Sequence, residues 1–375
     1  RRRHGIFAPP SRISSTTEVV MQLPVARMAG IAVIMSSLTA PARVAAFGER
    51  RTGLPPGVRV DSVRHTVVIL AGPFHVAPAM PMMPHMEMEH MEGSDSLVKR
   101  FTWPMTTLLQ GLRLDLTDGA GRSLPRHLLH HLNLVNFDRR ALVYPLVERM
   151  MGFGQETEDV SVPSSIGLPM TAGQRIGLFV MWDNKTGRDL DDVYVQLTFR
   201  WAPGNLVPRP TAVMPFTIDA HLVPGGHNTF VVPPGGTTQR FDFTLPLDGH
   251  LVAASGHLHD HGVRVSLLDR TTGRTVVSVR SRRDSTGHVI GMSRALLALR
   301  GAGPHLRADH RYQLEVEYEN PTADTLTGMM GLMVGLFAPD DPARWPAIDP
   351  NDPDYRKDLA DILGSAVEGV TEARR

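Results

Sequence analysis

Residues 249–262 read Gly-His-Leu-Val-Ala-Ala-Ser-Gly-His-Leu-His-Asp-His-Gly. Gly249 to Leu258 has the length and apolar character of one strand, and the turn-like Asp260-His261-Gly262 ends it. Alternate residues of a strand point to the same face, so His257 and His259 aim both imidazoles at one point. Downstream, Gly328-Met329-Met330-Gly331-Leu332-Met333 begins a second apolar strand. A thioether arriving from it, with Met329 as the first choice and Met330 as its competitor on the opposite face, completes a two-nitrogen, one-sulfur cup. Imidazole suits copper, zinc, iron and nickel alike, whereas the soft thioether favours Cu(I), so this donor set selects copper.

Short strands surround this stretch on both sides. Upstream, Val58 to Ala71 alternates, and Gly111–Leu116, Leu128–Phe137, Arg175–Asp183 and Asp192–Trp201 alternate or run apolar between Gly, Asp and Pro turns. Ala202 to Pro210 carries three prolines and reads as a hinge. Beyond it come Phe216–Leu222, Gln239–Leu245, Gly249–Leu258, Val263–Asp269, Thr275–Val279, Arg311–Glu319 and Gly328–Phe337. Helical periodicity is found only near the C-terminus, over Tyr355–Thr371. The pattern predicts an all-β chain of two tandem antiparallel β-sandwiches, jelly-roll-like, over residues 47–205 and 211–340, with a tail at 341–375. A length of 375 residues agrees with two domains.

Composition narrows the chemistry. With 39 Lys+Arg against 38 Asp+Glu, nothing points to nucleic acid as a partner. The absence of cysteine removes disulfides, thiolate metal sites and thiol nucleophiles, so a soft metal must be held by His and Met. There is no P-loop and no HExxH, and Ser255-Gly256-His257 is not a nucleophile elbow. His221, His227, His250, His288, His305 and His310 are scattered through loops and strand ends and read as solvated.

The first 46 residues read as an export signal. Arg27 supplies positive charge, Met28 to Leu38 is a short apolar run, and Val44-Ala45-Ala46 is a small-residue cleavage site. No later segment has the length of a membrane-spanning helix, so the expectation is a soluble, exported protein. Residues 75–92 read HVAPAMPMMPHMEMEHME, in which Pro78, Pro81 and Pro84 forbid a sheet. This tract is expected to be a loop, and its histidines and methionines resemble the tracts that capture copper in export compartments.

The order of motifs resembles a known family. A His130-His131 pair in the first half, a Val232-Pro233-Pro234-Gly235 turn opening the second, His257-x-His259 and then a methionine on the last strand are similar to the copper type II, ascorbate-dependent monooxygenases over roughly residues 100–338. The resemblance implies two copper sites facing across a solvent-filled cleft. His257, His259 and Met329 match the O2-binding copper, and His130 and His131 match the electron-donating copper. Neighbouring residues on a regular strand face opposite ways, so His130 and His131 can share a metal only at a bend or bulge.

Two departures qualify the resemblance. The family's third first-domain histidine falls in Val180-Met181-Trp182-Asp183 here, so Met181 stands where an imidazole would be. Ser255 stands where peptide-amidating members carry an arginine for the substrate carboxylate, which argues against a peptide with a C-terminal glycine as substrate. The expected function is copper-dependent oxidoreduction using O2 and a small-molecule reductant or substrate. The alternative is copper sequestration or delivery without catalysis, and a metal-free interaction module is a third possibility.

Overall fold

Strand Thr66–Val76 shows how the chain builds its first core. Val67, Ile69 and Ala71 are buried while Val68 and Leu70 between them are only partly so, the period-two pattern of a sheet with one packed face. The computed structural model describes residues 56–78, 98–154, 157–225, 228–298 and 302–372, with the side chains of the last helix described as far as residue 363. Strands make up more than half of the described residues and helix only a small share, so the class is β.

Two sheets enclose the first core. One runs in the order Gly57–Asp61, Thr66–Val76, Leu190–Trp201, Thr107–Thr117, Ile166–Met170, Thr211–Ala212, and the other in the order Lys99–Thr102, Arg175–Trp182, Leu129–Arg140, Val147–Gly154. Leu112, Leu114, Leu132, Leu134, Val180 and Phe199 meet between them. A second core lies between the sheet Met214–Asp219, Gly331–Pro339, Gly249–Leu258, Ala295–Leu296 and the sheet Gly235–Thr244, Arg311–Asn320, Gly262–Asp269, Arg274–Arg283, Val289–Met292. All the described residues belong to one compact unit within residues 50–375.

Several expectations are corrected. The segment Val58–Ala71 is a hairpin rather than one strand: Gly57–Asp61 turns back onto Thr66–Val76. The turn forms because the Asp61 carboxylate accepts the Val63 and Arg64 amides at 3.0 and 2.9 Å, an Asx turn that competes with strand continuation. His75 and Val76, expected in the Met-rich loop, close the second strand of that hairpin. Val76 is buried, and its carbonyl accepts from Asn184 Nδ2 at 3.0 Å. The rest of the described part of that tract, Ala77 and Pro78, is outside any strand, and residues 79–92, with His85, His90 and six methionines, lie outside the described residues, as does the signal segment 1–46.

Strands Val147–Gly154 and Ile166–Met170 were not expected. In the first, Glu148 is buried against the Arg139 guanidinium at 2.8 Å. The C-terminal helix is Pro353–Glu372, capped by Asp352, whose carboxylate accepts the Asp354 and Tyr355 amides at 2.9 and 3.1 Å. Its Tyr355 and Ile362 pack with Val135, Phe137 and Val147, and its Asp358 accepts the Val147 amide. Among the described residues no helix is long and apolar enough to cross a membrane.

Candidate metal centre

His130 and His131 stand at the start of strand Leu129–Arg140. Its register against Arg175–Trp182 slips there: Leu129 faces Trp182 and His131 faces Met181, so His130 is the extra residue of a β-bulge. The bulge brings two neighbouring imidazoles to the same side, with ring centroids 4.2 Å apart. Met181, directly opposite His131, is on the same face of the sheet, within the reach of a cross-strand pair.

His257 lies on strand Gly249–Leu258 opposite Leu332, and His259 immediately follows the strand. Tyr318, buried on the neighbouring sheet, fixes this end. Its hydroxyl accepts the His259 amide at 2.9 Å and donates to the Met330 carbonyl. Burial pushes the Tyr318 phenol up, so it stays a donor at any physiological pH.

The two pairs form one cluster. His131 lies 5.0 Å from His257 and 5.8 Å from His259 between ring centroids, and His130 lies 6.2 Å from His259. One ligand nitrogen from each of His130, His131 and His259 falls within 4.8 Å of the others. Two copper sites separated by a solvent-filled cleft were the expectation, and the rings are instead in mutual contact range. The Nε2 atoms of His257 and His259 are shielded from solvent. Burial, reinforced by His257, His130 and His259, holds the His131 imidazole well below the ordinary histidine range, and a neutral imidazole is the form that ligates a metal.

The methionines divide. The stretch expected as one strand, Gly328–Phe337, is two: Leu326–Met329 pairs with Phe230–Val232, and Gly331–Pro339 pairs with Met214–Asp219 and Gly249–Leu258. Gly328 at φ +68 allows the break, a backbone conformation few side chains adopt. Met329 packs against the second core. Met330 falls between the two strands and lines a cavity together with His131 and His257.

That cavity has a volume of about 650 Å³ and lies between the two cores. Met150, Phe153, Leu168 and Leu336 give it apolar walls, and Arg282 and Arg294 reach Glu158 in its lining at 3.2 and 3.4 Å. Asp219 joins the lining through register, since Asp219, Leu332 and His257 are directly opposite one another on three adjacent strands. Burial raises the Asp219 carboxyl to about 6, against the opposing pull of the His221 amide and of His257. Neither Asp219 nor Tyr318 was singled out in the sequence, and no local signal marks them, because each reaches the site from another strand. His250 and His305, read as solvated, also come together, at 4.7 Å between ring centroids.

No protein-family model matches the chain, and no curated protein matches it in sequence. Among solved structures, peptide:N-glycanase F (PNGase F) is similar at 10% identity over 72% of this chain and 95% of that one, with a TM-score of 0.39. The major capsid protein P2 of bacteriophage PM2 is similar at 9% identity over 74% and 98%, with a TM-score of 0.34. The STIV MCP is similar at 10% identity over 77% and 99%, with a TM-score of 0.37. At these scores the likenesses carry no argument about a site or an activity.

Proposed function

We propose that this chain is an exported copper protein of the copper monooxygenase type, built as two tandem antiparallel β-sandwiches over residues 47–205 and 211–340 that share one metal centre. The convergence of His130 and His131 with His257 and His259 beside an apolar cavity carries this reading. The donor set fits copper: imidazoles for either oxidation state, and Met181 or Met330 as a soft thioether for Cu(I). Met330 is preferred to Met329 because it shares the cavity with His131 and His257. Bound copper supplies one-electron redox chemistry toward O2. The cavity holds an apolar small molecule against His131 and His257, while Asp219 offers a carboxyl that carries a proton below pH of about 6.

One observation favours the second reading, copper sequestration or delivery. His130, His131 and His259 bring one ligand nitrogen each within 4.8 Å of the others, and His257, 5.0 Å from His131 and 5.2 Å from His259 between ring centroids, is close enough to complete a tetrahedral shell after a side-chain shift and leave no open position for O2. Copper-loaded protein freed of excess metal and given ascorbate decides between them. O2 consumption above that of the metal-free protein, abolished by His257→Ala, supports the oxidoreductase. Tight copper binding with no O2 consumption supports sequestration, and the absence of tight copper binding sinks both.

A further inference from the structure

We infer that this protein has a second metal site, formed by His250, His305 and Asp340 at the opposite end of the strand that carries His257, and that it takes a borderline divalent cation of the zinc class. The inference does not depend on the copper reading, and the site shares no residue with the histidine cluster. Seven residues separate His250 from His257, roughly 20 Å at the rise of an extended strand.

Register assembles the three residues. His305 is directly opposite His250 on the short strand His305–Leu306. On the other side, Ala338 is opposite His250, so Asp340, two residues further on, occupies the diagonal position of the same face. The chain is held there by the Asp340 amide, which donates to the Asp248 carbonyl at 3.1 Å. Both imidazoles turn Nε2 toward one carboxylate: His305 Nε2 lies 2.8 Å from Asp340 Oδ2, and His250 Nε2 lies 3.8 Å from Asp340 Oδ1. One ligand atom from each residue falls within 4.8 Å of the other two. Donors around a tetrahedral zinc ion, at bonds near 2.0–2.1 Å, are about 3.4 Å apart, so small side-chain rotations close the site.

The outer contact of His250 is what separates this group from an ordinary surface His–Asp pair. His250 Nδ1 lies 3.0 Å from the Gly303 carbonyl, an acceptor only, so Nδ1 carries the proton and Nε2 presents a lone pair to the site. That carbonyl is placed by Gly303 at φ +89, where a Cβ would run into the Leu251 carbonyl oxygen. Hard and borderline donors without sulfur point to zinc rather than to Cu(I). With side chains between 30 and 46% exposed, the site is open to ions and leaves room for water as a fourth ligand.

The test uses the full-length chain carrying His257→Ala and His259→Ala, so that the histidine cluster does not mask the result. Zn²⁺ binding is measured by competition with a chromophoric chelator, and Co²⁺ is used as a spectroscopic substitute. In that background His305→Ala and Asp340→Asn should each weaken Zn²⁺ binding by at least the ~10–100-fold that loss of an outer contact alone costs. Each should also remove a Co²⁺ d–d band. His288→Ala, which disrupts a separate His–Asp pair with Asp260, should change neither. Asp340→Asn is nearly isosteric and decides the matter if His305→Ala fails to fold. Equal Zn²⁺ affinity and an unchanged Co²⁺ spectrum in Asp340→Asn would overturn the inference, as would a background protein that binds no Zn²⁺.

Discussion

His131 meets His257 edge to face, 5.0 Å between ring centroids, although one belongs to the sheet of the first core and the other to the sheet of the second. The imidazoles of the two halves are therefore one cluster. A change at either strand alters the environment of the other, which two separated sites would not do.

We expect His131→Ala to weaken copper binding by at least tenfold and His257→Ala to do the same, each abolishing the tightest site. Copper stoichiometry and competition with a Cu(I) chelator measure this. If His257→Ala leaves a full-affinity site that is lost only when His130 and His131 are also changed, the two pairs bind separately and the shared centre is wrong.

Tyr318→Phe should loosen the site without touching a ligand. It removes the acceptor of the His259 amide and the donor to the Met330 carbonyl, both in buried surroundings. The cost is about 1–3 kcal/mol of stability in the metal-free protein, with a matching drop in metal affinity. Denaturant midpoints and metal competition on the same samples would show it, and an unchanged midpoint would remove Tyr318 from the argument.

Glu148 makes stability depend on pH in an unusual direction. Burial raises its carboxyl to about 6, even with the Arg139 guanidinium beside it. Because the folded state binds the proton more tightly than the unfolded chain, this contribution is fully present below the unfolded value near 4.5 and is lost as pH rises through about 6. Relative to Glu148→Gln, the wild type should thus lose on the order of 1–2 kcal/mol between pH 4.5 and 7. Parallel wild-type and Glu148→Gln curves across that range would contradict it.

Asp358 ties the C-terminal helix to a cavity strand. Its carboxylate accepts the Val147 amide at 2.9 Å and both terminal nitrogens of Arg149 at 2.6 and 2.7 Å. Asp358→Ala should cost about 2–4 kcal/mol, because it strands a partly buried guanidinium and a buried amide. Limited proteolysis should then cut the helix first, and a helix as resistant as in the wild type would refute the anchoring role.

Much of this was legible in the sequence because it is local. Gly249–Leu258 was delimited to the residue by its apolar run and a terminal turn. The demand for a bulge at His130-His131 followed from strand geometry, and a register slip is present there. Of the strands that escaped notice, Val147–Gly154 carries a glutamate whose partner, Arg139, lies on another strand, and Ile166–Met170 is short and interrupted by Pro169. The split between Met329 and Met330 was likewise hidden, since it depends on Phe230–Val232 capturing Leu326–Met329 while Gly331–Pro339 joins another sheet.

By itself the sequence determined the β class, most strand positions, the C-terminal helix and the residue types able to hold a soft metal, because alternation, turn chemistry and the lack of cysteine act within a few residues. Only the tertiary structure decided that the two histidine pairs share one cluster, that Met330 rather than Met329 lines the cavity, that Asp219 and Tyr318 join the site, and that His250, His305 and Asp340 meet. The physical reason is register: which side chains share a face is set by hydrogen-bonded ladders between strands far apart in the chain, and a slip of one residue redirects every side chain beyond it.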